Sequence, residues 1–262
     1  MGRYEWISLT TDYGLSDGFV AACHGVIGRM APAVRVIDVT HLVSPGDVPR
    51  GSAVLAQAVP HLPDAVHVAV VDPGVGTARR PVAVEAERGV LVGPDNGLLP
   101  DAADALGGIR RAVALTNPAW HADTVSRTFH GRDIFVPAAA RIALGADLAD
   151  AGEPVDPAGL VRLPEPLVVV GDGVVEAEVL TVDRFGNVQL AAPGSALDRL
   201  GDSLRVGGMR AVRGATFADA PAGGLVAYVD SAGRVALAIN GGRAVVALSV
   251  SPGDVLTLTT AG

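Results

Sequence analysis

The chain has 262 residues, 49% of them hydrophobic, and a formal net charge of −8. That length accommodates one large domain, or a large one with a small companion. The acidic balance argues against nucleic acid binding through a basic face, which needs clustered cations to meet phosphates. All 20 basic residues are arginine, so Schiff-base chemistry and a P-loop lysine are excluded. Together with abundant Ala, Val, Gly and Pro, that bias points to a GC-rich, bacterial coding sequence. The longest apolar runs, such as VHVAVV at 66–71, fall far short of the roughly 20 residues that span a bilayer. The opening MGRYEW lacks the apolar core of a secretory signal, so a cytoplasmic protein with no membrane association is expected.

Taken in chain order, residues 6–10 predict a strand. From Asp17, a plausible N-cap, Phe19, Val20, Cys23, Val26, Ile27 and Met30 recur at helical spacing. Cys23 is the only cysteine and lies on this apolar face, which predicts a buried packing residue rather than a nucleophile. Residues 35–40 predict a second strand, and a helical stretch follows from Val48 to about His61. The uninterrupted apolar run 66–72 predicts a strand covered on both faces. PVAVEA and GVLVGP add two more, before a helical segment near 101–106, a strand at 112–115 and a helix over about 132–144. This alternation indicates an α/β domain with a largely parallel sheet, placed at 1–150.

Residues 145–166 contain four prolines and break the pattern, with a linker expected at 151–166. Beyond it, β-rich runs at 167–170, 174–182, 203–206, 225–229, 234–239, 244–250 and 255–259 are separated by Gly-containing turns. They predict a small all-β barrel at 167–262.

Polar groups cluster where strands should end. TTDYG (10–14) closes the first strand, and in open α/β sheets ligands gather at carboxyl ends of strands. VDPGVG (71–76) closes the most apolar one. An aspartate there needs a partner, and the arginine seven residues on across the turn, Arg79, can supply it. Its glycines fit neither dinucleotide nor P-loop spacing. PDNGLL (94–99) is turn-like, and FHGRD (129–133) puts His130 between an aromatic residue and a glycine. VDRFGN (182–187) offers a carboxylate, a ring and an amide, a set able to hold an ammonium, stack on a purine and read its edge. No His pair has metal-ligand spacing on a shared element, so no metal site is expected.

In this order, TTDYG, DPGVG with its following arginine, PDNGLL, FHGRD and DRFGN, with YVDS (228–231), resemble the S-adenosylmethionine hydroxide adenosyltransferase family. That family is related to the enzymes that fluorinate or chlorinate S-adenosylmethionine. The likeness runs over about 7–240. It implies an N-terminal α/β domain and a C-terminal β-barrel assembled as a homotrimer, with sites between neighbouring subunits. It also implies S-adenosylmethionine as substrate, with no cofactor. Asp72, Arg79 and His130 match the family's water-activating group, with Arg80 the alternative if the register slips by one. Asp12 matches the residue holding the ribose hydroxyls. Asp17, Asp183 and Ser231 match the contacts of the methionine moiety, and Phe185 and Asn187 those of adenine. Against the halogenating relatives, Asp72 replaces an aromatic residue, Val75 a threonine and Gly131 a serine, which favours water over halide. Gly46 replaces a tryptophan and Ala232 an arginine near the methionine side. The implied reaction is hydrolysis to adenosine and L-methionine by attack at ribose C5′. A halide adenosyltransferase, a non-catalytic S-adenosylmethionine or adenosine binder and a metal-dependent hydrolase are the alternatives.

Overall fold

The computed structural model describes residues 3–261. The chain divides into two compact units, one ending at Leu163 and the other beginning at Pro164. No helix among the described residues is long and apolar enough to cross a membrane.

The first unit is a seven-stranded sheet between two helical layers. Its strands are β1 (Trp6–Thr11), β2 (Arg35–Thr40), β3 (Ala65–Val70), β4 (Pro81–Ala86), β5 (Gly89–Pro94), β6 (Ile109–Ala114) and β7 (Pro154–Val155). They lie in the order β2-β1-β3-β5-β4-β6-β7. The β2–β1, β1–β3 and β3–β5 pairings are parallel, and β4, β6 and β7 extend the sheet antiparallel. Side chains alternate across β3. Val66, Val68 and Val70 join a core shared with α1 (Phe19–Met30) and α4 (Val136–Ala143). Ala69 and Val71 join the opposite core, shared with α2 (Val48–Ala58) and α3 (Pro100–Ala105). Burial on both faces is why this strand carries no alternation of polar and apolar residues. Cys23 is buried in the first core, and burial pushes its thiol up to about 12, leaving it inert at neutral pH.

Asp17 does not cap α1. The helix starts at Phe19 with Gly18 at the cap position and no side-chain cap bond, so the exposed Asp17 carboxylate is not committed to the helix end. The helix near 132–144 opens as a π-helical turn, Gly131–Phe135, before continuing as α4. The proline-rich stretch up to Leu163 lies within this unit, contributing β7 and short 3-10 turns at Leu148–Ala151 and Pro157–Gly159.

The second unit contains β8 (Val168–Gly171), β9 (Val174–Val182), β10 (Val188–Pro193), β11 (Ser203–Val206), β12 (Met209–Arg213), β13 (Leu225–Val229), β14 (Arg234–Ile239) and β15 (Val255–Thr260). Seven of them close in the order β10-β14-β13-β12-β11-β15-β9, with β9 returning to β10, and β8 adds outside β9. Closure removes the free edges. Inward positions such as Val175, Ala177, Val179, Leu204, Val206, Leu256 and Leu258 fill the interior. The segment expected as a strand at 244–250 instead forms α5 (Ala244–Leu248). Both edges of β14 are taken by β13 and β10, and the next strand, β15, pairs instead with β11 and β9. Strands β10 and β12 lack a clear sequence signal, because VQLAAP and MRAVR mix small, proline and charged residues into short runs.

Candidate active site

Three elements of the first unit bring Asp72, Arg79 and His130 together. Asp72 follows the buried end of β3. Asn96 Nδ2 donates to the Val71 carbonyl at 2.9 Å, tying that end to the 94–99 turn. The turn 72–77 then reverses the chain, with Val75 N–H bonded to the Asp72 carbonyl and Thr77 N–H to that of Gly74. Gly76 has φ +77°, and a Cβ there would strike the Arg127 carbonyl. The reversal carries Arg79 back over Asp72. Its Nε lies 3.0 Å from both carboxylate oxygens, and its Nη2 also pairs with Oδ2. Both side chains are almost wholly buried, and the guanidinium stacks over the Phe135 ring at 5.2 Å. The neighbouring Arg80 pairs instead with Asp95 and reaches the Gly159 carbonyl, away from Asp72.

The same Arg79 Nη2 lies 2.8 Å from His130 Nδ1. A guanidinium only donates, so Nδ1 must accept, and the ring proton belongs on Nε2. Burial first, and the Arg79 charge second, hold His130 below its ordinary pKa. His130 is thus a neutral imidazole presenting an Nε2–H donor. Its loop is fixed by the buried Asp133, whose Oδ2 accepts Ser126 N–H at 2.8 Å and whose carboxylate is clamped by Arg132.

Two residues given no role by the sequence, Tyr13 of the TTDYG segment and Phe135, support this group. Tyr13 packs against Phe19 and Phe129, with ring centroids 6.0 and 5.5 Å away, and a Cβ at Gly131 would run into its Oη. Gly131 therefore does more than permit flexibility, because it makes room for the phenol. Phe135 is the second, since its ring backs the arginine.

Asp12 sits at the end of β1, where its Oδ2 accepts Gly46 N–H at 2.9 Å. Gly46 adopts φ +75°. Asp17 lies on an exposed loop beyond it.

In the second unit, Asp183 and Asn187 close the β9–β10 hairpin. Asp183 accepts from Asn187 N–H and Nδ2, each at 2.8 Å. Phe185 at the tip is 75% exposed, beside Gly186 at φ +86°, where a Cβ would meet Arg243. Ser231 is exposed in a turn organised by Asp230, which accepts from Ala232 N–H and Arg234 N–H.

Residues 7–152 match the SAM hydroxide adenosyltransferase N-terminal domain, and residues 177–257 match the C-terminal domain. A protein of Salinispora arenicola named (R)-S-adenosyl-L-methionine hydrolase is 66% identical over 259 residues, 99% of each chain. The crystal structure of an uncharacterized conserved protein from Thermotoga maritima is 34% identical and covers 97% of this chain and 99% of its own, with a TM-score of 0.89. More distant is a fluorinase of an Actinoplanes species, 27% identical over 97% of each chain. With both domains matched in order over most of its length, the chain belongs to the SAM hydroxide adenosyltransferase family.

Proposed function

We propose that the chain hydrolyses S-adenosylmethionine to adenosine and L-methionine, with the R sulfonium epimer as its substrate. The observation that carries this reading is the Asp72–Arg79–His130 chain, its ion pair almost wholly buried, in which each group's hydrogen-bonding role is fixed. Its relatives' names specify the same substrate and configuration.

The chemistry asks little of a general acid, because a sulfonium already leaves as a neutral thioether. Water attacks C5′, the C5′–S bond breaks with its electron pair going to sulfur, and one proton leaves the attacking oxygen. His130 Nε2–H donates to that oxygen as it gains hydroxide character. Asp72, held by Arg79, accepts from the water and receives its proton. Charge cancels as the oxygen approaches the cation, so a poorly solvated, pre-aligned site helps. Positioning alone is worth up to ~7–11 kcal/mol in favourable systems. An anionic nucleophile such as chloride would meet the Asp72 carboxylate, and glycine at 131 offers it no hydroxyl.

Asp12 would hold the ribose hydroxyls. Asp17, Asp183 and Ser231 would receive the methionine moiety, the exposed Phe185 would stack on adenine, and Asn187 would read its edge. This division favours a homotrimer in which neighbouring subunits complete each site, working in the cytoplasm without a cofactor. The test is chromatography after incubation with each sulfonium epimer separately. Equal yields of adenosine and methionine from the R epimer are expected; 5′-methylthioadenosine or S-adenosylhomocysteine as product would overturn the reading.

A further inference from the structure

A second cluster of chemically capable side chains lies apart from the Asp72 group. His24 on α1, Asp38 on β2 and His41 just after β2 present ligand atoms that all lie within 4.8 Å of one another. His24 Nε2 is 2.9 Å and His41 Nε2 3.0 Å from Asp38 Oδ1. Two ligands about 2.0–2.1 Å from one ion, at angles of 90–110°, lie roughly 2.9–3.4 Å apart, so these spacings suit coordination.

His41 supplies the independent observation. It is 4% exposed, and its Nε2 makes no hydrogen bond of good geometry although it lies 3.0 Å from Asp38 Oδ1. Its other nitrogen, Nδ1, lies 2.8 Å from Thr11 Oγ1, which also accepts Tyr13 N–H at 3.2 Å. The hydroxyl oxygen has a second lone pair, so it can accept His41 Nδ1–H. In that tautomer Nε2 is a bare, buried lone pair 3.0 Å from Asp38 Oδ1. A histidine whose remote N–H is anchored in this way is the usual form of a metal-ligating imidazole.

We propose that His24, His41 and Asp38 form a binding site for one divalent transition ion of the zinc or cobalt type. Two imidazoles and a carboxylate select such an ion over magnesium or calcium, which prefer all-oxygen shells. The ion supplies no chemistry to the reaction. It links α1 to β2 and, through His41, to the segment 11–14, since the His41 carbonyl accepts Gly14 N–H at 2.7 Å and its ring holds Thr11. Asp12 stands within that segment, so the ion acts as a clamp on one of the proposed substrate contacts.

The experiment is titration of chelator-stripped full-length protein with Co(II), read by visible d–d absorption and by calorimetry, with Zn(II) as competitor. The wild type should bind one equivalent and show a band that Zn(II) displaces. His24→Ala and Asp38→Asn, both at partly exposed positions and verified as folded by circular dichroism, should each weaken binding at least 10-fold. His61→Ala, an exposed histidine outside the cluster, should bind as the wild type does. No saturable band in the wild type, unchanged binding in both cluster variants, or equal loss in His61→Ala would each overturn the proposal.

Discussion

Breaking the Asp72–Arg79 pair from one side should cost far more than removing it whole. The two side chains are 5% and 10% exposed and meet through three N–O contacts, so each is the other's main compensation for lost hydration. Two unit charges about 4 Å apart at an effective dielectric near 20 attract by ~4 kcal/mol. Removing one partner of a buried pair typically costs ~3–5 kcal/mol, because the other is left charged and unsatisfied. Asp72→Asn and Arg79→Met should therefore each destabilise by about that amount. The double variant should cost far less than their sum, with a coupling of ~2–4 kcal/mol. Urea unfolding followed by circular dichroism, at one fixed protein concentration, closes the cycle. Additivity within ~0.5 kcal/mol would refute the pairing, since that is how independent sites behave. The Arg79→Met variant carries a second readout. His130 loses the nearby positive charge that, after burial, does most to lower its pKa, so its NMR titration should move up.

Acid should weaken the fold through His67, a fully buried residue on β3 whose burial lowers its pKa to about 4. The unfolded chain binds that proton below about 6.5 and the folded one only near 4, so stability falls as pH drops through this window, by about 3 kcal/mol. His67→Met should flatten the slope between pH 6.5 and 4 in pH-dependent urea titrations, and an unchanged slope would reject it. Gly131→Ser should displace Tyr13 and cost ~1–3 kcal/mol, measurable as a lower urea midpoint; an unshifted midpoint would contradict the close approach. For the shared-site trimer, mixing Asp72→Ala with Asn187→Ala after mild dissociation should restore activity that neither parent has. No recovery despite verified subunit exchange would count against it.

The strands β9, β11, β13 and β14 were legible to the residue: β9 and β11 alternate inward and outward positions against a filled interior, while β13 and β14 are short, mostly buried apolar runs bounded by Gly-containing turns. The run 244–250 was not, because five or six apolar residues carry no period of their own. The structure makes it a helix, and the next strand, β15, closes the barrel between β11 and β9. Within the site, a strand-end aspartate with an arginine across a glycine turn was visible locally, but the choice between Arg79 and Arg80 was not. It depends on Asp95 and Gly159 drawing Arg80 the other way. The Tyr13–Gly131 contact and the His24–Asp38–His41 cluster were equally hidden. Both arise only when the parallel β1–β2 register and the packing of α1 bring separate segments together.

The central claim is that water is the nucleophile and C5′ its target. Incubation with S-adenosylmethionine in ¹⁸O-labelled water, followed by mass spectrometry of both products, tests it most directly. The account predicts adenosine carrying one ¹⁸O at its 5′ oxygen and unlabelled methionine. Unlabelled adenosine, or a product still bearing sulfur at C5′, would contradict it.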